Sequence, residues 1–160
     1  MIRERSSLTS ILKSIKMKKI KTEIIIDKDV STVWKVLTDF ENYPNWNPFV
    51  RSIQGGKAVG AQLKVACKQP NGKIVKFKPT VLNFDRDKEF RWKGKFGIKG
   101  IFDGQHYFKL EKLRKNQTKF IHGEDMSGLL VSLLGSKLDK MNISFESMNQ
   151  ALKKECEKIK

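Results

Sequence analysis

Residues 31–49 read STVWKVLTDFENYPNWNPF, and this stretch decides how the chain folds. It opens as a helix. Asp29 or Ser31 offers a side-chain oxygen to the unpaired N–H groups of a first turn. Val33, Trp34, Val36 and Leu37 then form an apolar stripe at the 3.6-residue period. Asp39, Glu41 and Asn42 break that stripe. Pro44 suits the start of a second, very short helix, where its missing N–H costs nothing. Pro48 blocks continuation and drives Asn47 toward an extended conformation, so a strand is expected near Phe49. Two short helices between two strands make a wedge at one end of a sheet. Trp34, Trp46 and Phe49 either plug a core there or close one end of a cavity, and the stretch alone fits both readings.

Outward from the wedge, the pattern is strand-like. Residues 20–27 are Ile-rich and predict strand one. Strand two covers 49–53, ended by Gly55-Gly56. In strand three, Leu63, Val65 and Cys67 alternate with Gln62, Lys64 and Ala66, so this strand is expected to be half-buried. Pro70-Asn71-Gly72 predicts a hairpin turn into strand four, over 74–84, where Pro79 interrupts the donor pattern and suggests an edge or a bulge. Phe90, Trp92 and Phe96 share one face of strand five, with Gly94 among them, before a glycine-rich loop at 97–100. Strand six, 101–111, aligns Phe102, Gly104, His106, Phe108 and Leu110. Strand seven, 118–126, aligns Phe120, His122, Glu124 and Met126. From Leu133 the period becomes helical to the end, through Leu134, Leu138, Met141, Phe145, Met148, Leu152 and Ile159. The expected fold is α+β: a curved antiparallel seven-stranded sheet wrapped around a long C-terminal helix, with the two short helices between strands one and two.

Residues 1–16 are expected to be a basic, poorly ordered extension, and residues 17–160 a single domain. Leu8, Ile11, Leu12 and Ile15 could place one apolar face on that extension. The formal net charge is +16, which raises the question of nucleic acid. The basic residues are 27 Lys and 6 Arg. They are dispersed, whereas phosphate and base recognition favours clustered Arg forks, so a nucleic-acid partner is not expected. Weak attraction to anionic membrane surfaces stays open. No apolar run is long enough for a membrane span, and no secretory signal is seen at the N-terminus. Two cysteines, Cys67 and Cys156, fit a reduced, cytoplasmic protein in which both are small buried hydrophobes.

Several segments together carry a family resemblance: WKVLTDFENYPNWNPF, GQHYFKL, TKFIHGEDMSGLL and a helix ending NQALKK. Over about residues 18–158 the chain resembles the SRPBCC superfamily, also called START-like or helix-grip. Within that superfamily it is similar to the polyketide cyclase/dehydrase and lipid-transport group. The resemblance implies a deep apolar cavity between sheet and helix. It does not imply one activity, since the superfamily holds carriers, ligand receptors and some enzymes.

His106, His122 and Glu124 form the one interior-facing polar cluster the pattern predicts. A turn near Arg114-Lys115-Asn116 would set His106 opposite Glu124, and Phe108 opposite His122. Such a cluster serves as a general acid/base pair, as a two-His-one-carboxylate metal site, or as buried polar groups that satisfy one another and orient a ligand. The third reading is preferred, because ligand cavities are mostly apolar with a few fixed polar groups. No close-spaced ligand pair supports a metal, and no cofactor is implied. Nucleophile signatures and phosphate-cradling loops are missing from the sequence.

The expected function is therefore binding of a hydrophobic small molecule or lipid, as carrier or sensor. The runner-up is a cyclase/dehydrase-type enzyme using His106 and Glu124, and the third reading is a partner-binding module of the chaperone-activator kind. The expected lining is Phe77, Trp92, His106, Phe108, His122, Glu124 and Met126 from the sheet. Trp46 and Phe49 would join from the wedge, with Leu138, Met141 and Phe145 as a helical roof. Met126, Leu129, Leu130, Leu133 and Leu134 pack as core or gate the mouth. The oligomeric state cannot be read from the sequence.

Overall fold

The computed structural model describes residues 16–95, 103–128, 131–133 and 135–160. Phe96, the 97–100 loop, Phe102, Leu129, Leu130, Leu134 and the 1–15 segment lie outside them. Strand β1 is Lys16–Ile26, starting four residues before the expected position. Helix α1, Val30–Thr38, is capped by Asp29, whose carboxylate accepts from the N–H groups of Ser31 and Thr32. Those bonds, with the Ser31 and Thr32 hydroxyls, hold the Asp29 carboxyl well below the usual carboxylate range. A single 3-10 turn, Phe40–Asn42, leads into α2, Tyr43–Trp46, with Pro44 in its first turn as its fixed φ requires. Asn47 ends α2 in an extended conformation, φ −86° and ψ 114°.

Strands β2 (Val50–Gln54), β3 (Lys64–Lys68) and β4 (Ile74–Phe77) make a three-stranded sheet in that order. Strands β5 (Thr80–Asp85), β6 (Glu89–Lys95), β7 (Asp103–Arg114) and β8 (Gln117–Gly128) join β1 in a five-stranded sheet, ordered β1-β8-β7-β6-β5. The described residues thus form eight strands where the sequence predicts seven. The extra one comes from Pro79. Lacking an N–H, it cannot continue the ladder, and the expected fourth strand divides there into β4 and β5. Its carbonyl is still used: it accepts from the Leu63 N–H at 2.8 Å. With the Gly60–Val81 and Val81–Ala61 bonds and the Gln62–Thr80 bridge, this contact links the two antiparallel sheets.

A 3-10 turn at Val131–Leu133 precedes the long helix α3, Ser136–Glu157. The helix begins three residues later than its sequence period suggests. Ile159 falls beyond its end and is exposed. Burial along α3 is graded. Phe145, Met148, Leu152 and Cys156 are fully buried, whereas Met141 is half-buried. The C-terminal half of the helix is therefore gripped more closely than its beginning. The wedge inserts Trp34, Phe40 and Tyr43 into the core. Trp34 meets Phe84 edge-on at 5.1 Å, and Phe40 meets Phe90 at 5.4 Å. Each pair adds about 0.5–1.5 kcal/mol beyond the area it buries.

The convex face is pinned at one glycine. The Tyr107 ring lies over Gly123, its neighbour in the β7–β8 register, and the Arg91 guanidinium covers that ring at 4.6 Å. A Cβ at position 123 would stand 2.3 Å from the Tyr107 ring and 2.7 Å from the Ile20 carbonyl oxygen. Neither distance is compatible with a methyl group, and one contact is backbone. Gly123→Ala is expected to cost about 1–3 kcal/mol by overpacking, read as a lower urea midpoint. Unchanged stability would mean that the ring does not occupy this position.

Candidate functional site

Alternation along the strands decides which side chains face the helix. The register is continuous across the five-stranded sheet. One inward row runs Phe90, Phe108, His122 and Thr22, and the next runs Trp92, His106, Glu124 and Ile20. A third row holds Gly94, Gly104 and Met126. His106 thus lies opposite Glu124, and Phe108 opposite His122, in the pairing expected from the turn before Gln117.

The polar side chains of these rows form one chain of hydrogen bonds. Glu124 Oε2 and His106 Nδ1 are 2.6 Å apart, and His106 Nε2 and His122 Nε2 are 2.8 Å apart. His122 Nδ1 lies 3.0 Å from Asn149 Oδ1, Asn149 Nδ2 donates to Thr22 Oγ1 at 2.8 Å, and the Thr22 hydroxyl donates to the His122 carbonyl at 3.1 Å. The direction of every bond follows from the last one. A carbonyl can only accept, so Thr22 spends its hydrogen there and accepts from Asn149. Asn149 then presents its oxygen to His122, whose Nδ1 must carry hydrogen. The neutral His122 ring accepts at Nε2, so His106 donates from its Nε2. A single proton remains for the short contact between His106 Nδ1 and Glu124 Oε2.

Burial decides where that proton rests. His106 and His122 are 5% and 0% exposed, and the Glu124 side chain is 14% exposed. Burial penalises the charged form of each group. It pushes the Glu124 carboxyl up to about 8, helped by the neighbouring Asp125 charge, and pushes the His106 imidazole down to about 3. His122 is held well below its usual value, by burial first and then by His106, against its bonds to Asn149 and the Phe145 backbone. Near neutrality the pair is therefore a carboxylic acid donating to a neutral imidazole.

Aromatic rings enclose this chain. His106 stacks on Trp92 at 4.7 Å and 7°, and His122 stacks on Phe145 of α3 at 4.0 Å and 11°. Phe49 reaches both histidines at 6.3 Å and Phe145 at 5.4 Å. Its position is set by Asn47, whose buried Oδ1 accepts from the N–H groups of Phe49 and Val50. Arg51 adds bonds to the Asn47 and Pro44 carbonyls. Of the residues expected to line an interior, the structure brings Phe49, Trp92, His106, Phe108, His122, Glu124 and Phe145 together. Met126 lies one row further along, buried. Trp46 packs edge-on against Tyr43 of the wedge at 5.0 Å, and Phe77 is half-buried on the other sheet, opposite Val65. Met141 is half-buried against the core, and the Leu138 side chain lies outside the described set. Of the expected gate, Leu133 is exposed.

Two members of the chain, Thr22 and Asn149, are absent from the sequence-based site. Each carries a signal: Thr22 is the polar residue in phase with Ile20, Ile24 and Ile26, and Asn149 sits on the apolar stripe four residues after Phe145. The cysteines offer no nucleophile, since burial pushes the thiols of Cys67 and Cys156 up to about 12. Among the described residues no group of three or more His, Cys, Asp or Glu is arranged to hold a metal. No described helix is long and apolar enough to cross a membrane.

Two surface clefts flank the start of α3. One, of about 330 Å³, lies between the wedge and the helix, with Pro48, Phe49, Lys140 and Ile143 on its walls. The other, of about 400 Å³, lies between β1 and the helix, beside Ile20, Asp139 and Asn142.

These protonation states have a measurable consequence. The histidines, lowered from 6.5 on folding, resist protons that the unfolded chain binds, so they make stability rise with pH up to about 6.5. Glu124, raised from 4.5, holds a proton that the unfolded chain releases, so it makes stability fall between about 4.5 and 8. Two histidines outweigh one carboxyl until they cease to titrate. The contribution of these three groups is therefore greatest near pH 6.5. Glu124→Gln should remove the decline from about pH 6.5 to 8 while preserving the acid limb. Urea midpoints across that range test this, and identical alkaline slopes for wild type and variant would contradict it.

Comparison with known proteins places this geometry in context. No curated protein sequence matches. The fold is shared with the Zhui aromatase/cyclase from a Streptomyces species, at a TM-score of 0.71 and 11% identity, over 89% of this chain and 95% of that one. A START superfamily protein from Mycobacterium smegmatis aligns at a TM-score of 0.69 and 19% identity, over 89% and 99%. Norcoclaurine synthase from Thalictrum flavum, in complex with dopamine and hydroxybenzaldehyde, aligns at 0.69 and 11%, over 94% and 92%. At these identities the likeness establishes the helix-grip fold. The profile of the family described as polyketide cyclase / dehydrase and lipid transport matches residues 17–141, and the chain belongs to that family.

Proposed function

We propose that the protein binds a hydrophobic small molecule or lipid between its sheet and α3, as a carrier or sensor. The observation that carries this reading is that the hydrogens of the polar chain are spent on one another, from Glu124 to Thr22, inside an aromatic interior. An acid/base pair built for catalysis needs a proton free to reach a substrate. Here the Glu124 proton is engaged with His106, and the His106 Nε2 hydrogen with His122. The binding residues in this reading are Phe49, Trp92, Phe108 and Met126, with Met141 and Phe145 above them. Gly94 and Gly104 support it, because neighbouring strands then project no side chain beside Trp92 and His106. The graded burial of α3 supports it too, since the helix is less enclosed at Met141 than from Phe145 onward.

A ten-carbon chain buried here would gain roughly 8 kcal/mol at about 0.8 kcal/mol per methylene, before association costs, which is consistent with weak-to-micromolar affinity. A fluorescent polyaromatic or fatty-acyl probe should bind the wild type. Met141→Trp should abolish that binding at little cost in melting temperature, because the added volume enters space the ligand uses. In a filled core the same change would cost about 1–3 kcal/mol. No probe binding, together with strong destabilisation of the variant, would contradict the proposal.

A further inference from the structure

The direction of the buried hydrogen-bond chain says which polar group a ligand can carry. Each member from Thr22 to His106 has its hydrogens and lone pairs assigned by its neighbours, and Glu124 is the end of the line. Its Oε2 is engaged with His106 at 2.6 Å. Among the described residues nothing donates to its Oε1, and the side chain stays 14% exposed. β8 lies between β1 and β7, so this exposure opens on the inward face that carries His106. Whether the shared proton sits on Oε2 or on His106 Nδ1, Oε1 bears only lone pairs.

The geometry points to Glu124 Oε1 as an obligate hydrogen-bond acceptor toward the bound molecule, selecting apolar ligands with a hydroxyl or N–H donor and disfavouring those that end in a carboxylate. This rests on the reading that the interior binds an apolar molecule, and goes further by assigning the class of its polar end. A carboxylate has only lone pairs to set against Oε1, and would also be desolvated beside it. An alcohol supplies the missing hydrogen. The selection runs against the long-range field: at a formal net charge of +16 the protein as a whole attracts anions. A preference for the neutral alcohol therefore cannot come from overall charge.

The test compares 1-decanol with decanoate at neutral pH, as displacement of the polyaromatic probe. Wild type should bind the alcohol at least about tenfold more tightly. Glu124→Leu removes the acceptor and should bring the two ligands to within about threefold. Glu124→Gln keeps an oxygen at this position, with an amide that can donate to His106, and should keep the preference. It also preserves the test if the Leu variant does not fold. Decanoate binding as tightly as decanol in wild type, a preference that survives Glu124→Leu, or one that is lost in Glu124→Gln would overturn the inference and leave the binding reading standing. Probe binding with displacement by neither decyl compound would do the same. If the probe itself does not bind, the binding reading fails and the inference fails with it.

Discussion

The hydrogen bond from the Thr22 hydroxyl to the His122 carbonyl fixes the direction of the buried polar chain that runs from Thr22 to Glu124. Two imidazoles, an amide and a carboxyl are buried among aromatic rings, and each would cost on the order of 1–3 kcal/mol if left unpaired. One donor committed to one carbonyl orients Asn149, then His122, then His106, and leaves a single proton to be shared with Glu124. The chain also ties elements together. Asn149 on α3 bonds to β1 and β8 at once, so the helix is located by specific bonds as well as by packing. A network of this kind rigidifies a core only when every member is satisfied, which is the case here up to the last oxygen of Glu124.

Packing follows the same division. Beyond the chain, Met148, Leu152 and Cys156 are fully buried, and Phe145 stacks on His122. Before it, Met141 is half-buried and two clefts lie on either side of the helix. Stability thus comes mainly from the C-terminal half of α3 and from the aromatic wedge at Trp34, Phe40 and Tyr43. In a family whose description joins cyclases to lipid transport, this separation lets one scaffold keep its fold while the lining varies.

Much of this was legible in the sequence, for identifiable reasons. The wedge announced itself through an apolar stripe, two prolines and a capping Asp29. The inward rows follow from strict alternation, which puts His106, His122 and Glu124 on one face. The sequence predicts one strand too few, because Pro79 signals an edge or a bulge there, whereas its missing N–H divides the strand and its carbonyl accepts from Leu63 across the two sheets. Thr22 and Asn149 were missed because a polar residue in an apolar stripe does not disclose its partner. Their contacts span 100 and 127 positions of the chain, distances over which periodicity carries no information. The sequence places Trp46 on the wedge beside the interior, and the fold packs it edge-on against the buried Tyr43.

The most direct measurement of the central claim uses the fact that the chain contains two histidines, both in the polar chain. Nitrogen-15 NMR of histidine-labelled protein at neutral pH reports the tautomer and charge of each ring. The account requires two neutral rings in opposite tautomers, His122 protonated at Nδ1 and His106 at Nε2, with assignment by Thr22→Val perturbing His122 more strongly than His106. Two rings in the same tautomer, or a His106 imidazolium beside an ionised Glu124, would contradict it.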